Sequence, residues 1–149
     1  MRVVIQRVKQ ASVIINEDIK RSISHGYMIL LGIEHEDNQS DIDWLVKKIM
    51  GLRIFSDEEN KMNLAISEVS GSILLISQFT LHASTKKGNR PSYSKAAIPE
   101  TAIPLYEGMI KSLVETGTHV QTGAFGADMQ VSLTNDGPIT IIIDSKTKE

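Results

Sequence analysis

Ser77, Gln78 and Thr80 stand directly after the apolar run Ile73-Leu74-Leu75-Ile76. Such a run suits a strand buried on both faces, and polar side chains with free amides at its end are a common place for a site. A second group lies near the C-terminus, in Asn135-Asp136-Gly137-Pro138-Ile139-Thr140. Two readings of the first group are open. Ser77 could be a nucleophile with His82 as base, but strand alternation puts the two on opposite sides, and no Gly-x-Ser-x-Gly elbow is present. Alternatively Ser77, Gln78 and Thr80 satisfy backbone groups while Phe79 joins the core. Gly137-Pro138 also has two readings. It is a surface turn, as Asp-Gly and Gly-Pro pairs commonly are. Or it is a cis bond in a rigid turn, whose carbonyls hold an ammonium group and leave no space beside it. The second device reads chirality by shape.

The elements that must position these groups follow from periodicity. Arg2 to Val8, Ser12 to Ile15, Ile19 to Ser22 and Tyr27 to Ile33 read as strands, with a turn at Asn16-Glu17-Asp18. A helix follows, with Ser40 as N-cap, Ile42, Leu45, Val46, Ile49 and Met50 at helical spacing, and Gly51 ending it. Arg53 to Phe55 is a short strand and Ser56 to Asn60 a charged turn. A second helix spans about Thr101 to Thr116, with Pro104 in its first turn and Ile103, Tyr106, Met109, Ile110, Leu113 and Val114 on one face. His119 to Gln121, Met129 to Thr134 and Ile139 to Asp144 read as strands, and residues 145–149 as a frayed tail. The pattern predicts an α+β class: mainly antiparallel sheet curled into a barrel-like core with two packed helices, one domain over residues 1–149.

Composition narrows the chemistry. With 149 residues and 41% hydrophobic content the chain can bury a sizeable core. A net charge of -2 restricts any nucleic-acid contact to a local basic patch, and the absence of cysteine removes disulfides, thiolate nucleophiles and zinc-cysteine sites. His25, His35, His82 and His119 lack metal-ligand spacing, and no Walker loop or Gly-x-Gly-x-x-Gly occurs. No metal and no cofactor are expected. No secretory apolar segment and no membrane-length run are present, so a cytoplasmic protein without membrane contact is expected. Lys86, Lys87 and Arg90 form a basic loop suited to phosphates, or simply to water.

Ser77-Gln78-Phe79-Thr80-Leu81 and Asn135-Asp136-Gly137-Pro138-Ile139-Thr140 resemble the Ser-Gln-Phe-Thr-Leu and Asn-x-Gly-Pro-x-Thr signatures of the D-aminoacyl-tRNA deacylases. Lys87-Gly88-Asn89-Arg90-Pro91-Ser92-Tyr93 is similar to that family's basic loop. The resemblance implies a homodimer with active sites at the subunit interface. Gly137 and Pro138 would be a cis pair inserted into the partner's site, excluding L-aminoacyl groups. Ser77, Gln78, Phe79 and Thr80 would form the catalytic wall, with the amides at Phe79 and Thr80 as oxyanion donors. Phe125 and Met129 would line the pocket, and Arg7, Asn135 and Thr140 would support the Gly-Pro motif. Lys86, Lys87 and Arg90 would meet the tRNA. The implied reaction is ester hydrolysis of D-aminoacyl-tRNA, and of mischarged glycyl-tRNA, without a protein nucleophile. The competing reading is a non-catalytic dimeric nucleic-acid-binding module.

Overall fold

The apolar runs of the central strands divide their side chains between two cores. A computed structural model describes residues 1–148. In β3 (Gly26–Gly32), Tyr27, Ile29 and Leu31 enter one core and Met28 the other. In the strand leading to Ser77 (Ser72–Ser77), Ile73 and Leu75 join the first core, Leu74 and Ile76 the second. Strands buried on both faces cannot show polar alternation, which explains their continuous apolar sequence.

The long strand β1 (Arg2–Ile15) organises the sheet. Its first half pairs antiparallel with β3, its second half with β2 (Ile19–Ile23), and its other edge pairs with the C-terminal strand along its whole length. After β3 come α1 (Gln39–Gly51) and a small hairpin of β4 (Arg53–Ser56) and β5 (Met62–Ala65). Then follow β6 (Ser72–Ser77), a single 3-10 turn (Phe79–His82), α2 (Pro99–Glu115), β7 (Val120–Thr122) and β8 (Met129–Asp144). The sheet order is β2-β1-β3-β6-β7, with β8 on β1; the β3–β6 and β6–β7 ladders are parallel and those of β1 antiparallel. Arg21 of β2 donates to the Thr122 carbonyl of β7 at 2.7 Å, so the sheet curls until its ends meet. Two helices pack over one face, giving the expected barrel-like α+β architecture.

Several boundaries depart from the sequence expectation. The N-cap of α1 is Asn38: its side chain accepts from the Ser40 amide at 3.0 Å, and Asp41 accepts from the Asn38 amide at 3.0 Å. This reciprocal pair satisfies two end donors, which Ser40 alone could not do. α2 starts at Pro99, so Pro104 lies inside it rather than in its first turn. Ala102, Tyr106, Met109 and Leu113 form its buried face, while Ile103 and Val114 are exposed. β5 was not expected. The strands anticipated at 2–8 and 12–15 are one strand, as are those at 129–134 and 139–144, because each pair runs along the same partner.

The anticipated tail is partly tied down. Ser145 is buried and donates to Asp41 Oδ1 at 2.6 Å; the Met1 ammonium donates to Asp37 Oδ1 at 2.6 Å and to Ser145 Oγ at 3.0 Å. Lys146 reaches Asp41 Oδ2 at 3.0 Å. Position 149 lies outside the described residues. Burial opposes ionisation of Asp41, but the Ser145 hydroxyl, the Asn38 amide and Lys146 outweigh it and hold the carboxyl below its usual range. Stability from this group is therefore present above the unfolded carboxyl value, about 3.9, and is lost as pH falls through the lower folded value. Asp41→Asn should cost about 1–2 kcal/mol at neutral pH, and this deficit should shrink as pH falls below the unfolded carboxyl value. Acid and thermal melts followed by circular dichroism check both; an unchanged melt at pH 7 would show that the clasp adds nothing.

Candidate active site

β6 ends at Ser77, and the Gln78 amide donates to the Leu31 carbonyl at 2.7 Å, holding the chain beside β3 as it leaves the sheet. The 3-10 turn then begins. The first donors of such a turn, the amides of Phe79 and Thr80, have no partner within it. Ser77, Gln78 and Phe79 line a pocket of about 360 Å3 together with Phe125 and Met129. Leu31, Ile33, Ala97 and Ala102 complete its apolar side. Below it, the Tyr106 hydroxyl donates to the Leu75 carbonyl at 3.1 Å, and burial pushes its pKa up to about 12. The phenol therefore stays protonated and ties α2 to β6. Tyr106 also packs on Phe125, with ring centroids 5.9 Å apart.

Thr80 does not line the pocket; its hydroxyl accepts from Gln78 Nε2. Phe79 is exposed rather than in the core, and meets Tyr93 edge-on with centroids 4.9 Å apart. Tyr93 belongs to the basic loop. Ser84 and Ser92 close that loop by paired backbone bonds of 2.8 and 2.9 Å, leaving Lys86, Lys87 and Arg90 exposed at its tip. Among the described residues none of these three cations forms an ion pair.

The second motif is a bulge. Gln6 pairs with Thr140 and Val8 with Asn135, so Arg7 alone faces the four residues 136 to 139. Gly137 and Pro138 are exposed, joined by a cis peptide, and do not line the pocket of their own chain. The chain does not reverse there: residues on both sides belong to β8 and run along β1. Arg7 is buried; it donates to the Asp136 carbonyl at 3.2 Å and the Ile54 carbonyl at 2.5 Å, and pairs with the Asp136 carboxylate at 3.3 Å. Asn135 Oδ1 accepts from the Ile139 amide at 2.9 Å, and its Nδ2 donates to Thr140 Oγ1 at 3.0 Å. Arg7, Asn135 and Thr140 thus converge on Gly137-Pro138. Glycine is required there: φ is +125°, and a Cβ would lie 2.8 Å from Ile139 Cγ1.

The serine-nucleophile reading fails on His82. Its Nδ1 is 2.9 Å from Glu34 Oε1, and its Nε2 is enclosed without a partner, so neither nitrogen serves Ser77. Sequence reasoning missed Glu34 as its partner, since the two lie far apart along the chain. Among the described residues no group of three or more His, Asp or Glu is arranged to hold a metal ion.

The family model described as D-Tyr-tRNA(Tyr) deacylase matches residues 4–144. The chain is 61% identical to a D-aminoacyl-tRNA deacylase of Flavobacterium psychrophilum, and 63% to one of Bacteroides fragilis, with 100% of both chains covered in each case. Its fold matches that of a c-Myc DNA Unwinding Element Binding Protein at TM-score 0.90 and 38% identity, covering 97% of this chain and 98% of that one. A probable eukaryotic D-amino acid tRNA deacylase matches at TM-score 0.85 and 16% identity, covering 95% and 97%, a likeness of fold alone. With the family model matched over nearly all of its length, the chain belongs to the D-Tyr-tRNA(Tyr) deacylase family.

Proposed function

We propose that this chain hydrolyses the ester bond of D-aminoacyl-tRNA, releasing the free D-amino acid and tRNA, and clears mischarged glycyl-tRNA by the same route. As a member of its family it is an aminoacyl-tRNA ester hydrolase, placed in the cytoplasm where charged tRNA is used. No helix among the described residues is long and apolar enough to cross a membrane. The reading treats residues 1–149 as one deacylase domain.

One observation carries it. Gly137-Pro138 is braced by three motif residues yet stands exposed, outside the pocket of its own chain. A rigid wedge with nothing of its own chain to fill suits a homodimer in which it enters the partner's pocket. There its carbonyls would hold the substrate ammonium on one side of the α-carbon. An L-aminoacyl group would place its side chain against the wedge; glycine, with none, would pass. The opposite wall would be Ser77 to Thr80, with Phe125 and Met129 lining the cleft. Water attacks the ester carbonyl, the oxyanion is held by the Phe79 and Thr80 amides, and the ribose 3′-oxygen leaves with the proton that the water gives up. The neighbouring 2′-hydroxyl assists that transfer. Gln78, its amide held on the Thr80 hydroxyl, helps fix the terminal adenosine or the acyl group. Lys86, Lys87 and Arg90 meet the acceptor-end phosphates.

Purified protein should release D-tyrosine from D-tyrosyl-tRNA and spare the L form. Intact D-aminoacyl-tRNA under excess enzyme would end the proposal and leave the binding-module reading. Gly137→Ala should lower kcat/KM by about tenfold or more, because the new methyl displaces the wedge. Wild-type turnover in that variant would reduce the bulge to a surface feature. Replacing Lys87 and Arg90 together by Ala should raise KM and flatten the dependence of log KM on log salt by about 2, roughly one for each phosphate deprived of its cation. An unaltered salt slope would remove the loop from the tRNA interface.

A further inference from the structure

His82 closes the turn that carries Phe79 and Thr80, and its environment differs from that of every other residue in the turn. Phe79 is 54% exposed, whereas His82 is 4% exposed. The turn is thus a short lever with its outer end at the pocket and its inner end enclosed. The inner end is held against Glu34, whose Oε1 lies 2.9 Å from His82 Nδ1. Glu34 is itself fixed. It bridges to Ala96 ahead of α2, and its amide donates to Asp37 Oδ2 at 2.7 Å. Gly32 makes the niche, since a Cβ there would sit 2.9 Å from both Cδ2 and Nε2 of the ring.

His82 Nε2 is the one buried side-chain nitrogen or oxygen without a hydrogen-bond partner among the described residues. An enclosed polar atom left unpaired opposes folding, and an apolar side chain of similar size would carry no such cost. Packing therefore does not account for histidine here; the close polar contact of the other nitrogen with Glu34 does. A second pin lies on the neighbouring residue. Arg2 donates to the Leu81 carbonyl at 2.9 Å while paired with Asp144 at 2.8 Å. That pin joins the turn to β1 and β8, the strands that carry Arg7 and Gly137.

We propose that the His82–Glu34 pair is a positioning device that sets the angle at which the turn presents the Phe79 and Thr80 amides to the reacting carbonyl. The pair touches no substrate and acts through the backbone of the turn. This inference rests on the deacylase reading for its catalytic consequence and on the geometry of the turn for its structural one. It concerns kcat more than binding, because oxyanion donors tighten on the transition state rather than on the ground state.

The test uses the full chain in four forms: wild type, His82→Leu, His82→Asn and Glu34→Gln. Asparagine can offer its amide N–H where the ring offers Nδ1–H, and glutamine keeps an acceptor oxygen, whereas leucine fills the niche and offers nothing. In steady-state deacylation of D-tyrosyl-tRNA, His82→Leu should lose about 10- to 100-fold in kcat with KM nearly unchanged. Its thermal midpoint should stay equal to wild type or rise. His82→Asn and Glu34→Gln should each recover most of the rate. Wild-type kcat in His82→Leu overturns the proposal. So does an equal loss in His82→Leu and His82→Asn that tracks a fall in melting temperature, which marks mere destabilisation. Hydrogen exchange supplies an arm independent of turnover. Amides of residues 78–83 should exchange faster in His82→Leu and not in His82→Asn, and unchanged exchange overturns the proposal. Should wild type leave D-aminoacyl-tRNA intact, the deacylase reading falls by itself, and the exchange arm still decides whether the pair holds the turn.

Discussion

One buried guanidinium sets the terms for this molecule. Arg7 lies in the stretch where β1 and β8 lose register, and it faces four residues with one. A buried, unpaired arginine would be costly, so its partners must stay in place: the Asp136 carbonyl and carboxylate and the Ile54 carbonyl. Those bonds stretch from the bulge to β4, and the bulge inherits the rigidity of the sheet on either side. A loop of the same length with solvent-facing ends would sample many shapes. This one is clamped on either side by β1–β8 pairing, and Asn135 Oδ1 accepts from the Ile139 amide within it.

The same irregularity also decides packing. Val3 and Ile5 face the helix-covered core, while Ala11, Val13 and Ile15 face the second core. The strand changes layers as it passes the bulge, where Arg7 and Val8 are both buried in succession. A β-bulge that bends a strand and re-aims side chains is the usual means of such a change. The feature that presents Gly137-Pro138 is thus also one that lets a single long strand serve two layers.

Much of the site was legible in the residues. The run ending at Ser77 told its own story because double burial needs continuous apolar sequence, and Ser77, Gln78, Phe79, Phe125 and Met129 do meet at one pocket. The second motif was legible as a group and misleading as local structure. Asp-Gly and Gly-Pro are turn formers, and nothing local distinguishes a turn between two strands from a bulge within one. Residue type alone leaves Phe79 between the core and the catalytic wall; its exposure follows from the turn that lifts it off the sheet. Residue preference points to Ser40 as the helix cap, whereas the cap is decided by a reciprocal geometry between Asn38 and Asp41.

The amino-acid sequence alone determined the class of fold, the two helices and the identity of the motif residues, since these depend on periodicity and on residue type within a few positions. The tertiary structure decided which distant residues meet. It joined Arg7 to Asp136, seated His82 on Glu34, and kept Gly137-Pro138 out of the pocket of its own chain. Strand pairing and chain crossing set these meetings. They depend on the packing of the whole chain against itself, and no window of neighbouring residues encodes them.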